Sequence, residues 1–178
     1  MPILGVIASS TRQGQVAGDT GAMFALQAIQ IGADGASSIT FSNIPATYAH
    51  LQVRILYKNS AGGSTFMTLN SISATKGHYL YAEQTTASSG TSGTNFIANA
   101  SSSYFGIAIV DILDYANVNK NVTVRTVAGW DGNGSGQISI NSQFYNLSST
   151  AVNSMTFTPT SGTFNQYTQF ALYGVKSA

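Results

Sequence analysis

At 178 residues the chain has room for one domain of ordinary size, with or without an extended arm, and is a tight fit for two. Only 7% of its residues are charged, seven basic against six acidic for a net charge of +1, and they are spread singly along the chain. That distribution excludes the clustered Lys and Arg that nucleic acid requires, and disfavours an anionic membrane surface or an acidic substrate.

With no cysteine, thiol catalysis, thiolate metal sites and disulfides are ruled out. Hydrophobic residues make up 43%, and 18 Gly against 3 Pro point to many turns between short elements. Solubility must come from Ser, Thr, Asn and Gln, so the composition favours an all-β protein with a neutral polar skin.

Residues 1 to 21 end in STRQGQVAGDTG, a polar stretch without a sustained period, and are expected to form an arm rather than part of a core. The apolar run Ile3 to Ala8 has no Lys or Arg before it and is too short for a signal-peptide core, so a soluble, unprocessed chain is expected. No run approaches the roughly 20 apolar residues of a spanning helix, and no membrane insertion is expected.

From residue 22 to 178 short apolar runs alternate with Ser, Gly and Asn clusters. Met23 to Gly32 and Ser37 to Ile44 read as two strands of a hairpin turning at Ala33-Asp34-Gly35, since Asp-Gly tolerates positive φ. In HLQVRILYK, Leu51, Val53, Ile55 and Tyr57 share one face and Gln52, Arg54 and Lys58 the other, with Leu56 as the exception. Further strands are expected at Phe66 to Asn70, Tyr79 to Glu83, Tyr104 to Leu113, Val122 to Trp130, Gln137 to Phe144, Ser154 to Thr158 and Gln169 to Val175. Thr85 to Ser103 is almost entirely Ser, Thr, Gly and Ala apart from Phe96 and Ile97, and reads as a long surface loop with room for one short strand. No segment carries a capped helical stripe. Short strands without intervening helices predict an antiparallel β-sandwich, jelly-roll-like, with an extended N-terminal arm.

Chemistry-bearing residues are sparse. Both histidines, His50 and His78, sit at strand starts, and no G-x-S-x-G elbow accompanies the many serines. Asp111 and Asp114 are the one close carboxylate pair. Alternation puts Asp111 on the face of Phe105, Ile107 and Ile109, a position open to an inward carboxylate; the favoured reading is a structural role, hydrogen-bonded at a strand end or paired with Arg54 or Arg125, and no catalytic residue is assigned. DGNGSG, Asp131 to Gly136, places oxygen ligands at Asp131, Asn133 and Ser135 as a calcium loop does, but Ser142 stands where that loop needs a bidentate Glu. A hairpin turn explains the same residues, and no cofactor is expected.

Four Asn-x-Ser/Thr triplets, at Asn99, Asn121, Asn133 and Asn146, are what chance yields in so Asn- and Ser-rich a chain. Aromatic residues beside amides suit a sugar face, a subunit interface or simply the core. Trp130, Asp131, Asn133 and Tyr145 are the candidate glycan contacts.

MPILGVIASS, ITFSNIPATYAHLQVRI (Ile39 to Ile55), DILDYANVNKNVTVRTVAGWDGNGSG (Asp111 to Gly136) and NQYTQFALYGVK (Asn165 to Lys176) together resemble a family of small virion structural proteins of tailed bacteriophages, described as tail-fibre-like, receptor-binding or head-decorating. The likeness spans most of the chain and is weakest over residues 56 to 103. It implies a non-enzymatic virion surface protein on tail or head, commonly a homotrimer. Its N-terminal arm, through Pro2, Ile3, Leu4, Val6 and Ile7, would dock on other virion proteins, while the β-domain faces outward toward a host cell-surface glycan. Capsid decoration or a head fibre is the alternative within that resemblance, and a carbohydrate-active hydrolase using Asp111 and Asp114 is the alternative outside it.

Overall fold

Strand alternation sorts this chain into two antiparallel sheets. The computed structural model describes residues 22–83, 86–92 and 96–176, so the arm expected over residues 1–21, with Pro2, Ile3, Leu4, Val6 and Ile7, lies outside the described residues. The strands are β1 (Met23–Gln30), β2 (Ile39–Phe41), β3 (His50–Tyr57), β4 (Gly63–Leu69), β5 (Lys76–Glu83), β6 (Thr86–Ser92), β7 (Phe96–Ala100), β8 (Gly106–Leu113), β9 (Val122–Asp131), β10 (Gly136–Tyr145), β11 (Met155–Pro159) and β12 (Gln169–Val175). Among the described residues there is no helix, and so none long and apolar enough to cross a membrane. The larger sheet runs β1-β12-β3-β8-β9-β10-β5-β6 and the smaller β2-β11-β4-β7, making an antiparallel β-sandwich.

The core lies between the sheets. Phe157 meets Phe41 edge-on at 6.4 Å and Phe170 at 5.1 Å, and Phe164 meets Phe170 at 5.1 Å, so one aromatic cluster joins the smaller sheet to β12. Leu51, Val53, Ile55 and Tyr57 of β3 point into this core, as their shared face predicts, and Leu56 points out. Strand β7 lies against β8, β9 and β10, so the larger sheet carries β5 and β6 beyond the smaller one. On the inner face of that overhang, Tyr79 and Tyr81 stack 5.9 Å apart and stay half-buried.

Two local expectations change. The turn at Ala33-Asp34-Gly35 forms, with Gly35 at φ 71° and its N–H bonded to the Gly32 carbonyl at 3.2 Å. The flanking strands nevertheless do not pair: β1 joins β12 in the larger sheet and β2 joins β11 in the smaller. A turn signal reports chain reversal, and here the reversal carries the chain from one sheet to the other. The segment expected as a surface loop contributes two strands, β6 at the edge of the larger sheet and β7 at the edge of the smaller, where Ile97 and Ala98 are buried. Weak local preference in a Ser/Thr-rich segment gives way to pairing with β5 and β4.

Candidate functional site

The residues proposed from sequence as one glycan patch are dispersed. In β9 the even-numbered side chains Val122, Val124, Thr126 and Ala128 are buried between the sheets, so Trp130 ends the inner row while Asp131 points to the outer face. Trp130 stacks on exposed Tyr104, centroids 6.5 Å apart and rings 8° from parallel, and its buried Nε1 has no hydrogen-bond partner among the described residues. Asn133 sits at the tip of the β9–β10 turn. Tyr145 is at the far end of β10, about 30 Å away along a strand of ten residues. It is wholly buried, and its hydroxyl donates to the Met67 carbonyl at 3.1 Å. That takes Tyr145 out of any surface site, and burial pushes its phenol well above the ordinary tyrosine range.

DGNGSG closes the β9–β10 hairpin. The Gly132 N–H reaches the Ser135 carbonyl, Asn133 and Gly134 both take positive φ (57° and 110°), and Asp131 Oδ1 accepts the Asn133 N–H at 2.8 Å. These are the hallmarks of a type I′ hairpin turn braced by an aspartate. The carboxylate thus bonds its own backbone, and no group of three or more His, Cys, Asp or Glu that would hold a metal occurs among the described residues.

The carboxylate pair is also parted. The odd-numbered residues of β8 face outward, so Phe105, Ile107 and Ile109 are exposed and Asp111 lies on the outer face rather than inside. The inner row is Gly106, Ala108, Val110 and Ile112, and at its first position there is no room for an isoleucine: a Cβ on Gly106 would lie 3.0 Å from the Gly129 carbonyl oxygen and 3.1 Å from Trp130 Cβ. Arg54 Nε donates to Gln52 Oε1 at 3.0 Å, and Gln52 Nε2 donates to Asp111 Oδ1 at 2.9 Å, so the glutamine mediates the arginine pairing expected for this aspartate. Asp114 is instead in the turn after β8. Lys120 Nζ hydrogen-bonds its Oδ2 and holds the carboxyl below the usual carboxylate range; its Oδ1 lies 3.4 Å from His50 Nδ1, and its backbone N–H donates to that same nitrogen at 3.0 Å. The two acids serve different partners and do not flank a common cleft.

What the sheet does assemble is an apolar band on its outer face. Two adjacent cross-strand rows run through the pairing register: Leu56, Ile107, Gly129, Ile138, Ala82 and Ala87 in one, and Arg54, Ile109, Val127, Ile140, Leu80 and Ser89 in the other. Ile107 is 63% exposed, Leu80 58% and Ile138 55%. A third row, Tyr173, Gln52, Asp111, Arg125, Ser142 and His78, borders the band with polar groups. Phe105, Ile107, Ile109, Val127 and Ile138 line a shallow groove in it.

Strand β10 makes the point sharpest. Its buried side carries Ser139, Asn141 and Gln143, while its open side carries Ile138 and Ile140. Asn141 Nδ2 donates to the Ile97 carbonyl at 3.3 Å, and Asn141 Oδ1 has no partner among the described residues. In an isolated sandwich the opposite orientation would bury more apolar surface. Sequence periodicity locates both faces of such a strand but does not say which one looks inward, so this band was missed; the usable signal was apolar side chains on both faces of β8.

Comparison with protein-family models, with curated proteins and with solved structures finds no match to this chain.

Proposed function

We propose that this chain is a non-enzymatic structural subunit of a bacteriophage virion surface, tail-fibre-like or receptor-binding. In this reading residues 1–21 attach it to other virion proteins and the sandwich faces outward toward a host glycan. The observation that carries the reading is the outer face of the larger sheet, where isoleucines lie exposed while polar side chains of the same strand are buried. Contiguous apolar surface of this kind marks an interaction site, and a subunit built for assembly leaves it bare only when alone. The resemblance of the phrases quoted above names the kind of assembly. Low charge agrees with it, because an uncharged surface is nearly indifferent to the ionic strength of dilute water.

Immunogold electron microscopy of purified particles tests the reading. Label on the tail is the expected result, label on the head selects capsid decoration or a head fibre, and absence of the chain from particles overturns the proposal. Deleting residues 1–20 should abolish incorporation while leaving a folded β-domain. Trp130→Ala should weaken binding to host cells without altering incorporation. Glycan release by the purified protein, abolished by Asp111→Asn, would replace the proposal with a hydrolase.

A further inference from the structure

The outer face has a size, a midline and a charge pattern that together specify an occupant, and we infer that it is a second copy of this chain, packed face to face about a two-fold axis. The inference rests on the assembly reading above and adds the partner and the register, a two-fold pair in place of the homotrimer that the resemblance implies.

Eight strands at about 4.8 Å spacing, each some eight residues long, present a face on the order of 900 Å². A standard stable interface buries about 800 Å² per partner, with an apolar centre and a polar rim. The band and the polar row beside it follow that plan. Two twisted sheets stack with their strands within about 30° of each other, so contact is best near the middle strands. Those are the strands that carry the exposed isoleucines.

The midline of the larger sheet falls between β8 and β9, with four strands on either side. A two-fold axis along that midline, in the plane of contact, lays β8 over β9 of the second copy and keeps every cross-strand row at its own height. An isologous contact of this kind makes each pairing occur twice. Asp111 then faces Arg125 of the second copy, and Arg125 faces its Asp111. Among the described residues the ion pairs all involve Asp114, so Asp111 and Arg125, neighbours across β8 and β9, form no ion pair with each other or with another described residue. Ile109 meets Val127, and Leu56 meets Ile138. Ile107, the most exposed aliphatic side chain of the band, sits over Gly129, which raises no side chain against it. Shape and charge are therefore self-complementary in one register.

Sedimentation velocity on the purified full-length chain, up to about 100 μM, tests this. The wild type is expected to be a dimer and Ile107→Asp a monomer with an unchanged circular dichroism spectrum. Asp111→Arg and Arg125→Asp should each raise the dimer dissociation constant at least about tenfold, because each sets like charges face to face. Mixing these two variants in equal amounts should restore a dimer, since every charged contact is then opposite again; a role confined to one subunit would show no such rescue. If Ile107→Asp fails to fold, the charge variants alone decide. A monomeric wild type, an oligomer indifferent to these substitutions, a trimer, or failure of the mixture to pair overturns the two-fold contact. The wild-type chain is also scored for presence in particles: a monomeric wild type that is found in particles sinks this inference and keeps the virion reading, whereas a chain absent from particles that still forms the dimer sinks the virion reading and keeps the two-fold contact.

Discussion

The two faces of the larger sheet are built from the same strands and differ in kind. Its inner face, against the smaller sheet, carries Val53, Ile55, Val110, Ile112, Phe170 and Leu172, all buried, and closes on the Phe41–Phe157–Phe170 cluster. Toward β10 this inner face turns polar, with Thr126, Ser139, Asn141 and Gln143 buried, and there the outer face turns apolar. One end of the sheet thus commits its hydrophobic surface to the fold, and the other leaves it exposed. Substitutions on the two faces should separate the two uses.

The largest loss belongs to the inner face. Phe157→Ala empties the centre of the aromatic cluster and should cost about 3–5 kcal/mol of stability, measured by urea unfolding. Alkali comes next. Burial raises the phenols of Tyr57 and Tyr145 far above the ordinary tyrosine value, so the folded chain keeps protons that the unfolded chain releases above about pH 10. Their contribution is complete below that pH and is lost as pH rises further, by about 1.4 kcal/mol per pH unit for each phenol. Tyr57→Phe and Tyr145→Phe should each remove one such share of the slope.

In the hairpin, Gly134 has φ 110°, which side-chain-bearing residues rarely adopt; Gly134→Ala should cost about 1–2 kcal/mol although its Cβ would meet nothing within 4 Å. Asp114 titrates in the opposite sense to the tyrosines. Its folded carboxyl is held down by Lys120, so its contribution is present above the usual carboxylate range and lost as pH falls through it. The group is exposed, and Lys120→Met should lower the melting temperature at pH 7 by no more than about 2 °C.

Smallest of all on folding is the outer face. Ile140→Thr should change the stability of the dilute monomer by no more than about 0.5 kcal/mol, yet abolish the rise of melting temperature with protein concentration. A large loss in the dilute monomer would show that the band serves the fold itself and would erase the contrast between the faces.

Strand positions were legible from local chemistry. HLQVRILYK declares its buried face by alternation, and DGNGSG declares its hairpin because Asn133 and Gly134 accept positive φ where most residues do not. The Ser/Thr-rich stretch was illegible for the opposite reason: nothing in Thr86–Ser92 prefers a strand until β5 supplies an edge to pair with. Candidate site residues fared worse. Trp130 and Asp131 are adjacent in sequence and point to opposite faces, and Tyr145 shares a strand with Ile138 and lies in the core.

Composition and alternation were enough to specify an antiparallel sandwich, because those signals act over a few residues and each strand carries its own copy of them. Which sheet receives each strand, and which face of β8 and β10 meets the core, depended on how side chains from distant segments fill one interior. Gly106, Ala108, Val110 and Ile112 of β8 meet the core, Ile107 and Ile109 are turned outward, and an exposed apolar surface results that no single stretch of the chain encodes.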